Sequence, residues 1–267
     1  MLNPYQGLPA GRRRLLGVAA VAAVLLLWAA LSGSGAVTPN KLPPPWDVAH
    51  ALVELSWRSD PAGGGSSPLL LATLASLRRV ALAGLLVIAL GVPVGIAMGA
   101  SPPVDAALSP LVDPFRSAPI VAVQPILVMW LGIDEAMKIA FLFLGAVVYL
   151  VPMVRDAIRA VPSSYYVSAI DIGATPFEAV RHALVPMALP RIADAIIVSV
   201  SVMWTYITVA EYINADTGLG QLIQNAKRFS AMNQVFAGII VIIALALVTY
   251  FTLVAIRNRL FSWEATQ

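Results

Sequence analysis

Six apolar runs, each close to the roughly 20 residues that a helix needs to cross a bilayer core, constrain this sequence more than any other feature. They are Leu15 to Leu31, Val80 to Met98, Leu108 to Leu131, Ala136 to Val154, Leu189 to Ala210 and Val235 to Ile256. Hydrocarbon offers the backbone no water, so each run must bond its own N–H and C=O groups as a helix. Of 267 residues, 59% are hydrophobic and 12% charged, against about 45–50% and 25% in soluble domains. The expected fold is an all-α polytopic membrane protein with about six transmembrane helices.

The same composition excludes several kinds of chemistry. Cysteine is absent and the two histidines, His50 and His182, lie far apart in sequence, so thiolate and histidine metal sites are not expected. The net charge of +3 is spread around the apolar runs rather than gathered in one patch, which argues for membrane topology over nucleic-acid binding. Gly91-Val-Pro-Val-Gly95 lies inside a span and lacks the strand-loop-helix setting of a nucleotide loop, and no Walker-type sequence is present. Gly95 and Gly99 instead have the small-xxx-small spacing of a helix-packing seam.

Arg12-Arg13-Arg14 before the first run places residues 1–14 in the cytoplasm as a tail. The run that follows is long for a signal peptide and reads as a retained span at 15–31. Residues 32–79 form an extracytoplasmic connector, with a short amphipathic helix after Leu42-Pro-Pro-Pro-Trp46, which Asp47 could cap, and a Pro61–Pro68 Gly/Ser linker. The core occupies 80–256 and a cytoplasmic tail 257–267. Lys41, Arg58, Arg78, Arg79, Lys138, Lys227 and Arg228 then fall outside or at the outer interface. Trp28, Trp130, Tyr149 and Trp204 lie near predicted span ends, where aromatic rings favour the headgroup level.

A polar stretch, Arg159 to Pro190, interrupts the core on the cytoplasmic side. Pro162-Ser163 starts a helix that Gly173 can end in a left-handed conformation. Thr175-Pro176-Phe177-Glu178 then supplies a cap, a proline at the first helical position and an acid three residues after the cap. The stretch reads as two short helices joined by a sharp turn. The first carries Tyr166, Ala169, Ile170 and Gly173 on one side, with Ser164, Ser168 and Asp171 on others. That apolar side either folds back on the chain's own spans or headgroups, or docks in a groove of a soluble partner.

Polar residues inside spans are costly and open functional hypotheses. Arg116 could touch a pore or gate, or pair with Asp113 and snorkel. Gln124, beside Pro125, could face a pore or bond a neighbouring helix. Glu211 could face an outer gate or be an ordinary interfacial carboxylate, and it follows a run holding Thr205, Tyr206 and Thr208. Asp194 suits the start of its helix.

The polar stretch resembles the cytoplasmic loop of binding-protein-dependent ABC transporter permeases, with pattern Glu-Ala-Ala, three residues, Gly, nine residues, Ile-x-Leu-Pro. Ser168 and Ala169 stand at the alanines, Gly173 at the glycine and Val185-Pro186 at the Leu-Pro, while Val167 replaces the glutamate and Ala183 the isoleucine. Leu74 to Val80, Gly91 to Gly99, Arg116-Ser-Ala-Pro119 with Pro125, Trp130 to Ile133, Ala210-Glu211 and Thr217 to Gly220 are similar to the nitrate, sulfonate, taurine and bicarbonate branch. The resemblance implies a type I ABC importer permease fold in a bacterial inner membrane. It implies two permease copies, cytoplasmic ABC ATPase subunits that carry ATP and Mg, an extracytoplasmic binding protein, and no cofactor on this chain. Tyr166, Ser168, Ala169, Ile170, Asp171, Gly173, Thr175, Pro176, Phe177, Glu178 and Pro186 would form the coupling loop, and Arg116, Gln124, Tyr206 and Glu211 the pathway or gate. A self-sufficient channel or ion-coupled carrier is the alternative. A carrier should show an inverted repeat and a cluster of intramembrane charges, neither of which is evident. A membrane enzyme would need an acid-base pair that the spans lack.

Overall fold

A segment crossing lipid must satisfy its backbone internally, and the chain does so with helices. The computed structural model describes residues 9–35, 37–57, 67–213 and 216–263. Its helices are α1 (Ala10–Gly33), α2 (Pro45–Trp57), α3 (Pro68–Ala100), α4 (Pro102–Val112), α5 (Gln124–Leu131), α6 (Glu135–Arg159), α7 (Ser163–Asp171), α8 (Pro176–Ala179), α9 (Val185–Tyr212), α10 (Leu219–Arg228) and α11 (Met232–Leu260). Among the described residues α1, α3, α6, the continuous Pro176–Tyr212 stretch and α11 are long and apolar enough to span a membrane. Residues 61–66 of the expected linker lie outside the described residues, as do Arg58, expected on the outer side, and the ends of both tails.

Three expectations are corrected. The third run is no straight helix: the stretches Pro102–Arg116 and Ile120–Leu131 meet at 99°, with 3₁₀ turns at Pro114–Arg116 and Ile120–Val123. Proline is the cause, because Pro119 holds an extended backbone (ψ 93°) and disfavours a helical Ala118. The second span starts at Pro68, so the boundary drawn at residues 79 and 80 falls inside α3, and Arg78 and Arg79 are helical. Proline at a first helical turn costs nothing, since that N–H has no partner in any case. Finally, Trp204 is buried in mid-helix rather than at an interface. Beyond these corrections, α10 is a helix that the apolar runs did not announce.

The chain divides into two compact units, Met1–Pro68 with Ile223–Ile240, and Leu69–Leu222 with Val241–Gln267. In the first, the Trp28 indole N–H donates to the carbonyl of Pro43 (3.0 Å), and its ring stacks on Phe236 at 5.9 Å. Val48, Ala51 and Leu55 form the buried side of α2.

In the second unit α6 and α9 pack along their length, burying Phe141, Leu142, Ala146, Leu150 and Val154 with Ala188, Ile192, Ala195, Met203 and Ile207. Lipid tails are as apolar as leucine, so close fit rather than water exclusion must hold such helices together. The expected glycine seam supplies that fit where α3 crosses α6. A Cβ on Gly91 would lie 3.0 Å from Leu150, one on Gly95 2.6 Å from Val154, and one on Gly99 2.7 Å from Ile158.

The seam is testable by size. Gly95→Leu is expected to cost about 1–3 kcal/mol through overpacking, because its neighbours include the Val151 carbonyl at 2.8 Å, which cannot rotate away. Gly84→Ala, whose Cβ would meet only Val200 at 3.9 Å, should be neutral or gain up to about 1 kcal/mol of helix propensity. Thermal unfolding of the detergent-solubilised protein measures both.

Candidate functional site

The polar stretch folds as an elbow. The α7 helix ends at Gly173, whose φ of +95° would strain any residue with a Cβ. The Gly173 N–H donates to the Ile170 carbonyl (2.9 Å) and the Ala174 N–H to that of Ala169 (3.0 Å), the paired bonds of a Schellman motif. One residue on, the Thr175 N–H donates to the Glu178 carboxylate (2.8 Å) while the Glu178 N–H donates to Thr175 Oγ1 (3.3 Å). This is the capping box expected from the sequence, of a kind that contributes about 1 kcal/mol. Stop and start signals two residues apart leave the turn little freedom.

The second arm differs from expectation. Instead of a short helix, α8 runs through a π-helical turn, Val180–Leu184, directly into α9. That widened turn lies just before Pro186, whose ring would clash with the His182 carbonyl in a regular helix. The elbow is thereby mounted on a spanning helix. Tyr166 and Ala169 are packed toward the bundle less openly than their neighbours on α7, and Tyr166 lines a cleft of about 330 Å³ with Gly99, Ile158, Arg159 and Leu184. The outward apolar surface is made by Val167, Ile170, Ile172 (87% exposed) and Phe177 (71%) with Tyr165. Pro186 stands at the start of α9.

An ionic cluster lies near each end of α6. On the elbow side Arg155 pairs with Asp113 (3.1 Å) and Asp105 (3.5 Å), and Arg159 with Asp105 (2.8 Å). Asp113 is therefore engaged by Arg155 rather than by Arg116, the partner weighed from the sequence, and Arg116 is exposed on the kink.

At the other end Glu211 is fully buried. Its carboxylate accepts from Arg79 Nη1 (2.7 Å), Ser76 Oγ (2.7 Å) and the Gly220 N–H (2.8 Å). Arg79, 2% exposed, also donates from Nη1 to the Thr217 carbonyl (2.7 Å), and from Nε (2.9 Å) and Nη2 to Glu135, which Lys138 approaches at 3.1 Å. The Leu219 N–H donates to Ser76 Oγ (3.0 Å). Two cations thus face two carboxylates, and Thr217 to Gly220 is fastened to α3 and α9. Gly218, at φ +137°, has its Cβ position 2.5 Å from the Glu211 carboxylate, so only glycine fits.

Arg79 and Lys138 were expected at an outer interface, and both are instead buried. Sequence reasoning also passed over Ser76 and Glu135. The available signal was Arg79, Glu135 and Glu211 lying at like ends of three apolar helices, since a charge near a span calls for a partner. Gln124 is buried and donates to the Val209 carbonyl (2.8 Å), clasping α5 to α9. Tyr206 packs edge-on against Phe141 at 5.9 Å and fills the space that Gly145 leaves. The four pathway candidates thus have separate surroundings. Asp194 pairs with Arg257 (3.1 Å). Among the described residues no three metal-ligating side chains converge.

The profile of the family described as "Binding-protein-dependent transport system inner membrane component" matches residues 91–262. The chain is 33% identical to the taurine transport system permease protein TauC of Escherichia coli (strain K12), over 96% of this chain and 92% of that protein. It is 29% identical to the putative aliphatic sulfonates transport permease protein SsuC of Bacillus subtilis (strain 168), over 95% and 90%. Among solved structures, the inward-facing MetNI methionine ABC transporter aligns over 76% of this chain and 99% of its own, with a TM-score of 0.66 at 22% identity. That likeness is one of fold.

Breaking a buried ion pair by removing one partner costs about 3–5 kcal/mol. Glu211→Ala should reach that range, because it also orphans Ser76 and the Gly220 N–H. Gly218→Ala should destabilise less in that background than in the native chain, since both changes undo one fastening. Denaturant titration of the four proteins in mild detergent gives the coupling.

Proposed function

The chain belongs to the family of binding-protein-dependent transport system inner membrane components and is a permease subunit of an ABC importer, and we propose that its cargo is a small organosulfonate such as taurine or an alkanesulfonate. The names of the relatives aligned along nearly its whole length support the sulfonate class. In this reading a second permease copy completes the pathway and an extracytoplasmic binding protein delivers the cargo. A cytoplasmic ABC ATPase, carrying ATP and Mg, grips each elbow.

The observation that carries the coupling role is the apolar surface of the elbow, Val167, Ile170, Ile172 and Phe177, held outside the bundle by two adjoining capping motifs and joined without a break to α9. Large apolar side chains exposed on a rigid, polar-flanked elbow suit helix-in-groove docking. With Val167 in place of the family's glutamate, docking here rests on apolar contact and shape. Because α8 and α9 are continuous, displacement of the elbow tilts a spanning helix, and alternating access follows as rigid-body gating.

The elbow side is assigned to the cytoplasm. Arg155, Arg159, Arg181, Arg191, Arg257 and Arg259 lie near the span ends there, whereas Arg79 and Lys138 at the opposite ends are neutralised inside the protein by Glu211 and Glu135.

Reconstitution with the ATPase and binding protein tests the reading. Taurine or an alkanesulfonate should stimulate both ATP hydrolysis and uptake; uptake by this chain alone without ATP would instead make it a channel or carrier. Ile172→Asp and Phe177→Ala, which alter exposed surface, should weaken ATPase association while leaving membrane abundance unchanged. Gly173→Arg adds about 1–2 kcal/mol of backbone strain, a factor of roughly 5–30 in the population of the native turn. Uptake should fall accordingly while the protein still inserts.

A further inference from the structure

The α2 helix is apolar on two opposite faces. Val48, Ala51 and Leu55 are buried. At about 100° per residue, Trp46, His50, Val53 and Trp57 fall within roughly 60° of arc on the far side. There Trp46 is 55%, Val53 58% and Trp57 83% exposed. A connector helix in water would turn polar side chains outward, and here the acidic Asp47 and Glu54 lie to one side of the stripe while its centre holds two indoles and a valine beside His50. The amphipathic helix expected from the sequence thus has its inner face covered by protein and its outer, largely apolar face turned away from it.

Its level relative to the bilayer is set within the same unit. Pro43, two residues before α2, accepts the hydrogen bond from Trp28 near the end of the spanning helix α1. The start of α2 is therefore held where a span leaves the hydrocarbon. Trp46 and Trp57 are eleven residues apart, about 16 Å along a helix. Both rings reach one depth only if the axis lies in the plane of the bilayer. Indoles favour the headgroup level, where an apolar ring can face the acyl chains and its N–H can face water.

We propose that α2 is an interfacial anchor, lying in the leaflet surface where α1 ends with its Trp46–His50–Val53–Trp57 face inserted at the headgroup–acyl boundary. The helix carries Asp47 and Glu54 and no lysine or arginine, so hydrophobic insertion rather than attraction to anionic lipid holds it, and the surface suits a predominantly zwitterionic membrane. An anchor here fixes the depth and rotation of α1, whose own exposed surface of Leu15, Val18, Val21 and Leu25 is uniformly apolar and sets neither. The proposal depends on the chain spanning a membrane and is independent of the cargo.

The absence of native cysteine makes single nitroxide labels clean. Trp46→Cys, Val53→Cys and Trp57→Cys are labelled in the full chain, reconstituted in phosphatidylethanolamine–phosphatidylglycerol vesicles, and probed by collision with oxygen and with a soluble nickel chelate. Asp171→Cys, exposed on the elbow, is the water-facing reference, and Ala51→Cys the buried one. The oxygen-to-nickel ratio should be severalfold above the Asp171→Cys reference at all three stripe positions. Nickel accessibility equal to that reference would overturn the proposal in favour of a water-facing stripe. Low collision with both reagents, at rest or only after the binding protein is added, would overturn it in favour of a protein-docking surface. A second measurement needs no cysteine: brominated lipid should quench the native fluorescence, and Trp46→Phe with Trp57→Phe should remove a large part of the quenched signal. An unchanged quenched signal in that double variant also overturns it.

Discussion

A guanidinium cannot sit bare in a lipid-spanning helix, and the arrangement around Arg79 follows from that constraint. Its position on α3 recruits Glu211 from α9 and Glu135 from the first turn of α6, so three spanning helices are tied at one level. Glu211 still has lone pairs to satisfy, and Ser76 and the Gly220 N–H fill them. The guanidinium also reaches the Thr217 carbonyl. A demand for complete hydrogen bonding thus propagates from one side chain to a turn with a glycine that has no room for a Cβ. Such a network contributes little net stability against an apolar replacement, yet costs a great deal when one member is removed. Its value lies in specifying a single register among three otherwise smooth helices.

Apolar close packing holds the bundle between the two ionic ends. Gly91, Gly95 and Gly99 bring α3 onto Leu150, Val154 and Ile158, and at Gly95 and Gly99 the facing backbone carbonyls of Val151 and Arg155 leave no room for a larger residue. Since neither lipid nor core prefers one helix face by polarity, shape has to choose it. The α6 helix is consequently gripped along one side by the glycine seam and by α9 along another, and it has charge clusters at both ends. Outside that grip lie the elbow, fixed by its adjoining caps at Gly173 and Thr175, and the corner between α4 and α5, held to α6 by Asp105 and Asp113 and to α9 by Gln124.

The elbow was legible residue by residue because its signals are local. A left-handed glycine, a threonine cap, a proline at the first position and a glutamate three residues after the cap each act within one turn. The order of the spans was equally legible, since hydrocarbon thickness imposes its length on every run. Two of the departures have local causes whose outcome depends on surroundings. Pro119 breaks the third run into a corner, while Pro186 and Pro190 leave α9 unbroken because a π turn absorbs the first of them. A proline announces a perturbation, and the packing around it selects between a corner and a widened turn.

By itself the sequence determined the all-helical membrane class, the order of the apolar runs and the turn of the elbow, because length, hydropathy and capping are properties of contiguous residues, while its ordered motifs carried the resemblance to the family. Tertiary structure decided which charges are internal. Arg79, Lys138 and Glu211 look like interfacial charges in the sequence, at the ends of apolar runs 132 residues apart for the Arg79–Glu211 pair. Lys138 finds Glu135 one turn back on α6, but only the three-dimensional meeting of α3, α6 and α9 brings Arg79 to both Glu135 and Glu211. Structure also decided which side of the elbow faces outward, turning Tyr166 toward the cleft beside Ile158 and leaving Ile172 and Phe177 exposed. The physical reason is the same in both cases: helical periodicity shows which residues share a face, and only a neighbouring helix determines whether that face is covered.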